Sequence, residues 1–220
     1  MSYRSASART TVLQRAPRRR GRSQRRAAVR RRRLLAVLGT ATLGALVVLA
    51  IRVGPNAVQE LTLPLKHEDI IRQQAVEKGL DPALIAAVIY QESKFRDRTS
   101  SAGAKGLMQL MPTTAEFIAR KSGGTAFQLR DLGTPQVNIA YGSWYLRYLI
   151  RHYDGNETLA VAAYNAGQDN VDRWVRRVGG PANFDAGRDI PFPETKHYVL
   201  SVVSHRGSYR HTYSKQLGLK

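Results

Sequence analysis

Helix-start and helix-stop signals recur from His67 onward, and no stretch of useful length alternates apolar with polar residues. That combination constrains the fold more than any other feature. Asp81-Pro82 and Thr134-Pro135 each place a capping residue before a proline in the first turn, which is a helix start. Gly79 and Gly167 stand where helices end. Between these signals the apolar residues fall at helical spacing: Ile70, Ile71 and Ala75, then Leu84, Ile85, Val88 and Ile89. Thr113 to Glu116 matches a capping box. Val137, Tyr141, Trp144, Tyr145 and Tyr148 share one broad face of the helix that Thr134-Pro135 opens. Helices are further expected over 157–166, 170–178 and 194–204, with small-residue loops at 101–106, 122–124 and 179–180. The fold class read from this pattern is all-α, without internal repeats. Hydrophobic residues make up 43% of the chain, enough for a core of its own.

Ahead of this helical part the composition changes sharply. Residues 1–33 hold 13 arginines and neither lysine nor acid, whereas the remaining residues hold 22 basic and 16 acidic side chains. The formal charge of +19 therefore describes the tail more than the folded part. The tail has almost nothing to bury and reads as a disordered, Arg-rich cytoplasmic segment. Residues 34–51 form an 18-residue run without a charge. As a helix it spans roughly 27 Å at ~1.5 Å per residue, close to a hydrocarbon core of about 30 Å. Arg30 to Arg33 abut its start and only Arg52 follows its end, an asymmetry that puts the N-terminus inside and the rest outside. This reads as a single-pass transmembrane anchor. The alternative is the apolar region of a cleaved signal peptide, with Val48, Leu49 and Ala50 at the cleavage site. For the arginines, attraction to anionic lipid of the inner leaflet is favoured over nucleic-acid binding, because no aromatic or folded nucleic-acid reader accompanies them. Residues 52–66, with two prolines, read as a stalk, 67–206 as the folded domain and 207–220 as a C-terminal tail.

The chain has no cysteine, which excludes a disulfide framework, a thiolate metal site and a cysteine nucleophile. His67, His152, His197, His205 and His211 show no ligand spacing with nearby acids, so neither a metal nor another cofactor is implied. The informative acid is Glu92. It lies four residues after Val88, seven after Ile85 and eight after Leu84, hence on the apolar face of its helix. Two readings follow. Either the helix is ending and the side chain turns to solvent, or the carboxyl sits in an apolar wall that resists its ionisation. In the second case its pKa rises, and it can donate a proton near neutral pH, as glycosidic cleavage demands. Downstream, Ser100 to Pro112 is a small-residue loop running into an apolar segment with one amide, Gln109, which needs a partner. Gly103 and Gly106 are expected to allow a ligand close to the backbone. Tyr164 and Asn165 end one apolar helix, and Tyr198 lies near the start of another.

Four blocks in order carry a resemblance: Glu92-Ser93, GLMQLMP at 106–112, AYNAG at 163–167 and ETKHYV at 194–199, with NIAYGSWYL at 138–146 as a weaker fifth. Together they resemble the lytic transglycosylases of the soluble-lytic type, whose catalytic domain has the lysozyme-like fold of goose-type lysozymes. The resemblance covers about residues 63–206. It implies cleavage of the β-1,4 bond between N-acetylmuramic acid and N-acetylglucosamine in peptidoglycan, without water, to leave a 1,6-anhydro end. It implies that Glu92 is the sole acid and base, and that Tyr164 hydrogen-bonds or orients its carboxyl. Gln109, Asn165 and the backbone near Ser100 and Met111 would hold the glycan. Ser100 would lie near the N-acetyl group, and Tyr198 would flank the site. The chain departs from the family where Arg96-Asp97 replaces a frequent Asn-Pro, which leaves Ser100 and Ser101 as alternatives. Asp97, Glu116, Asp131 and Glu194 are the spare acids, and no pattern pairs any of them with Glu92. Two other readings stand beside this one: a hydrolytic muramidase using the same acid, and a non-catalytic peptidoglycan-binding scaffold.

Overall fold

In a computed structural model the described residues are 62–124 and 126–219. The Arg-rich tail, the apolar run 34–51 and most of the stalk lie outside them. Among the described residues the structure is helical, without a strand, as the pattern predicts. The helices are α1 (Glu68–Lys78), α2 (Pro82–Ser93), α3 (Pro112–Ser122), α4 (Pro135–His152), α5 (Glu157–Ala166), α6 (Gln168–Arg177), α7 (Ala186–Asp189) and α8 (Pro193–Thr212). Short 3₁₀ turns at Leu129–Gly133 and Pro181–Asn183 connect them. None of these helices is long and apolar enough to cross a membrane.

Helix α2 is the centre. Every residue from Ala83 to Ile89 is buried, so the stripe read from sequence extends around the whole helix. A helix apolar on all sides must be wrapped by others. Here α8 packs along it, α1 covers another side, and α5 packs against both α8 and α4. Asp81 caps α2 by accepting from the Ala83 N–H at 2.9 Å. The same carboxylate accepts from Arg206 at 2.5 Å and Arg210 at 3.0 Å, and Arg206 also reaches Glu157 at the start of α5. Burial opposes ionisation of Asp81, but the two arginines hold its carboxyl below its ordinary value. One ionic cluster thus pins the starts of α2 and α5 to α8.

The far end of α2 is equally fixed. Lys94 and Phe95 both take left-handed backbone conformations, with φ of 54° and 58°. Two successive non-glycine residues in that region are costly, and they persist because Phe95 is buried in the core. The turn ends α2 one residue after Glu92.

Two expectations need correction, and a third gains detail. Helix α3 is capped at Met111 with Pro112 as its first residue, so Thr113 and Glu116 both lie inside the helix and form no capping box. Helix α4 buries Asn138, Ile139, Gly142, Ser143, Leu146, Leu149 and Ile150, and its aromatic face is only half-buried. Helix α8 runs to Thr212 rather than Ser204, and Tyr209, Tyr213 and Leu217 are buried beyond it. The stretch expected as a tail at 207–220 is therefore packed against the core as far as it is described. It also grips the end of the stalk: Tyr209 donates to the Pro64 carbonyl at 2.6 Å and Tyr213 to that of Leu63 at 2.8 Å. Tyrosine phenols on the inner face of a helix gave no period that marked them as clamps.

Candidate active site

Glu92 sits in the last turn of α2, where the buried helix reaches the surface. It is half-buried. Both sequence readings are partly met: the helix is ending, and the carboxyl is nevertheless held in an apolar wall. Tyr198, buried in α8, donates to its Oε1 at 2.6 Å. Burial pushes the Glu92 pKa up to about 7, against the opposing effects of the Tyr198 hydrogen bond and the Arg98 charge. No second carboxylate is among the groups that act on it. Of the spare acids, Asp97, Glu116 and Glu194 are exposed, and Asp131 accepts the Gln128 N–H in the cap of a 3₁₀ turn. Burial and the nearby Glu92 raise the phenol pKa of both Tyr198 and Tyr164, which keeps them as protonated donors.

The tyrosine that bonds the carboxyl is thus Tyr198, and Tyr164 does something else. Its hydroxyl donates to the Met108 carbonyl at 2.9 Å. The Met108 N–H donates to Asn138 Oδ1 at 2.8 Å, so both main-chain polar groups of one loop residue are held. Asn138 is buried, and its amide also donates to the carbonyls of Lys105 and Leu132, each at 3.0 Å. All its main bonding capacity is used, which is the condition for burying an amide without penalty. A polar residue on the inward face of α4 was the signal, and sequence reasoning passed over it.

The loop between α2 and α3 is knitted by two isolated antiparallel bridges, Thr99 with Lys105 and Lys105 with Leu110. Gln109 adopts a positive φ of 45°, and its side-chain amide donates to the Arg98 carbonyl at 2.9 Å and the Gly106 carbonyl at 2.6 Å. The partner that Gln109 needs is therefore its own loop, and only its Oε1 stays available. Gly106 is required for a reason within the protein. A Cβ there would lie 2.1 Å from Asn138 Nδ2 and 2.8 Å from the Leu132 carbonyl, so its missing side chain makes room for protein. Gly103 has open space around it. Ser100 accepts the Ala104 N–H at 3.0 Å and is half-buried, while Ser101 is exposed. Met111 is 40% exposed at the mouth of α3.

At the end of α5, Asn165 Oδ1 accepts from the hydroxyl of Thr195 at 2.7 Å. Thr195 is buried in the first turn of α8, three residues before Tyr198. This ties the AYNAG segment to the helix that holds the Glu92 carboxyl. Nothing in the sequence beyond the ETKHYV block marked Thr195. On the other flank, Tyr145 packs against Tyr164 with ring centroids 5.6 Å apart. From there a cavity of about 360 Å³ opens, lined by Thr113, Thr114, Phe117, Tyr145, Tyr148 and Asp169 among others. An acid poised near neutrality, a rigid loop beside it and an aromatic-lined groove together suit proton transfer to an extended polar ligand.

The signature of the family described as "Transglycosylase SLT domain" matches residues 69–185. The soluble lytic murein transglycosylase of Salmonella typhimurium is 33% identical over 160 residues, covering 69% of this chain and 24% of that protein. The membrane-bound lytic murein transglycosylase F of Pasteurella multocida is 34% identical over 135 residues, covering 56% of this chain and 26% of the relative. Among solved structures, an inactive variant of the lytic transglycosylase Slt of Pseudomonas aeruginosa, with glutamine in place of one glutamate, superposes with a TM-score of 0.64 at 34% identity. It covers 71% of this chain and 26% of that one. The chain thus spans about a quarter of the length of these relatives, some soluble and some membrane-bound. With the helical fold, the matched residues and the ordered motif blocks in agreement, the chain belongs to the transglycosylase SLT domain family.

Proposed function

We propose that this domain is a peptidoglycan lytic transglycosylase with one catalytic carboxyl, Glu92. The observation that carries the reading is a half-buried glutamate with its pKa near 7, bonded by a phenol and without a second acid acting on it. Two-carboxylate glycosidases need a partner acid to attack or to activate water. A lone acid suits a reaction in which the substrate supplies the rest. Protonated Glu92 gives its proton to the glycosidic oxygen as the bond to C1 of the muramoyl sugar breaks. The N-acetyl oxygen of that sugar stabilises the developing charge at C1. The Glu92 carboxylate then takes the proton of the 6-hydroxyl, whose oxygen closes on C1. A 1,6-anhydro ring forms, Glu92 is protonated again, and no water is consumed.

The other residues take supporting roles. Tyr198 holds the carboxyl. Tyr164 holds the Met108 peptide and so shapes the loop against which the glycan lies. Gln109 offers its Oε1, and Asn165, Ser100 and Met111 border the glycan. Because the first step needs the protonated acid, cleavage of purified peptidoglycan is expected to be maximal below about pH 7. Above that it falls, approaching tenfold per pH unit, as the carboxyl is lost. A rate that stays flat to pH 9 contradicts the assignment.

The apolar run 34–51 fits a single-pass anchor in a bacterial cell membrane, with the arginines on the cytoplasmic side and the domain on the outer side of that membrane, beside its substrate. Full-length protein is expected in the membrane fraction, with the domain open to protease added from outside. Recovery of a soluble chain starting near Ile51 overturns the anchor in favour of a cleaved signal peptide.

A further inference from the structure

Arg98 directly follows Arg96-Asp97 in the loop after α2, and its bonds single it out. Its Nη2 donates to the Glu92 carbonyl at 2.8 Å, across the left-handed turn at Lys94 and Phe95. That carbonyl belongs to the last turn of α2, where the helix leaves acceptors unpaired and a positive charge is favourable. The Arg98 carbonyl in turn accepts from the Gly106 N–H and the Gln109 amide, both at 2.9 Å. One residue therefore fastens the end of α2 to the loop that forms the floor of the site. Its guanidinium is otherwise exposed.

We propose that Arg98 is a positioning residue for Glu92: it braces the end of α2 against the 105–110 loop and fixes a positive charge beside the acid. The groups facing the carboxyl are few. Tyr198 on α8 bonds it, Tyr164 on α5 feels its charge, and Arg98 comes from the loop. Lys94 follows on the same turn, with its ammonium stacked 3.7 Å from the Tyr90 ring centroid. Among these, Arg98 is the cation that favours the ionised form of Glu92. The tyrosines set its surroundings but carry no charge. Beside the Tyr198 hydrogen bond, Arg98 thus opposes burial and helps the acid give up its proton near neutral pH. This step deepens the one-acid reading without depending on it, because it concerns the titration of Glu92 itself.

The loop bonds to residue 98 use its main chain, so replacing the side chain leaves them in place. The test compares full-length wild type with Arg98→Gln and Arg98→Lys, following the Glu92 side-chain carboxyl by carbon NMR, with Glu92→Gln identifying its signal. In Arg98→Gln the titration midpoint is expected to rise by roughly half to one pH unit, an exposed cation being worth less than a buried one. Arg98→Lys, which keeps the charge, is expected to restore it. An unchanged or lowered midpoint in Arg98→Gln overturns the proposal, as does a rise that lysine fails to reverse. The pH dependence of peptidoglycan cleavage then separates the two ideas. If the midpoint moves and the activity limb stays, Arg98 keeps its role and Glu92 loses its catalytic one.

Discussion

Glu92→Gln is expected to abolish peptidoglycan cleavage while leaving the fold and glycan binding in place. Glutamine matches the carboxyl in shape, and its Oε1 can still accept from the Tyr198 hydroxyl that now bonds Glu92 at 2.6 Å. It cannot give or take the proton. General acid–base catalysis contributes roughly 10²–10⁴-fold, and one residue serving both half-steps places the loss at or beyond the upper figure. Stability supplies the control. The unfolded chain loses the Glu92 proton near its ordinary value of 4.5, whereas the folded chain holds it to about 7. The wild type thus carries no penalty below that ordinary value. It accumulates one as pH rises through this window and keeps it above. The glutamine variant has no such group, so it is expected to be the more stable protein above pH 7, by on the order of 1–3 kcal/mol after allowance for partial exposure. The difference should vanish toward pH 4. Thermal unfolding across that range, beside release of soluble muropeptides, reads both effects. A variant that cleaves at near wild-type rate removes Glu92 from the reaction.

The sequence exposed the parts of the site that depend on local rules. Proline and glycine signals placed the starts of α2 and α4 and the ends of α1 and α5. Helical spacing placed Glu92 at the rim of the core. The roles that depend on which helices meet were hidden. The resemblance gave the carboxyl to Tyr164, and only the sight of α8 lying along α2 shows that Tyr198 bonds it instead. That packing brings residues 106 positions apart in the chain within bonding distance. Asn138 and Gln109 illustrate the same limit. Each is a lone amide in an apolar setting, and such an amide needs a partner. Whether that partner is a ligand or the protein's own backbone is a matter of tertiary structure, and for both it proved to be backbone. Gly106 belongs with them, since its freedom serves the close approach of Asn138. The end of α8 was missed for another reason. Tyr209 and Tyr213 bury their rings yet spend their hydroxyls on carbonyls of the stalk, and polar side chains of that sort do not announce a core face.

Whether water enters the product decides the reaction class, and the expected outcome is all or none. If Glu92 works alone, the 6-hydroxyl of the muramoyl sugar closes the ring and the released end is one water lighter than a hydrolysed end. If an acid elsewhere activates water, the same bond breaks and the end is hydrated. The direct measurement is mass spectrometry of the muramoyl ends released by the full-length protein from purified peptidoglycan, with the digestion carried out in ¹⁸O-water. Anhydro ends without ¹⁸O, absent from the Glu92→Gln digest, are the expected result. Hydrated ends carrying ¹⁸O, with no anhydro ends, would contradict a one-acid transglycosylase and place the chemistry with the hydrolytic muramidases.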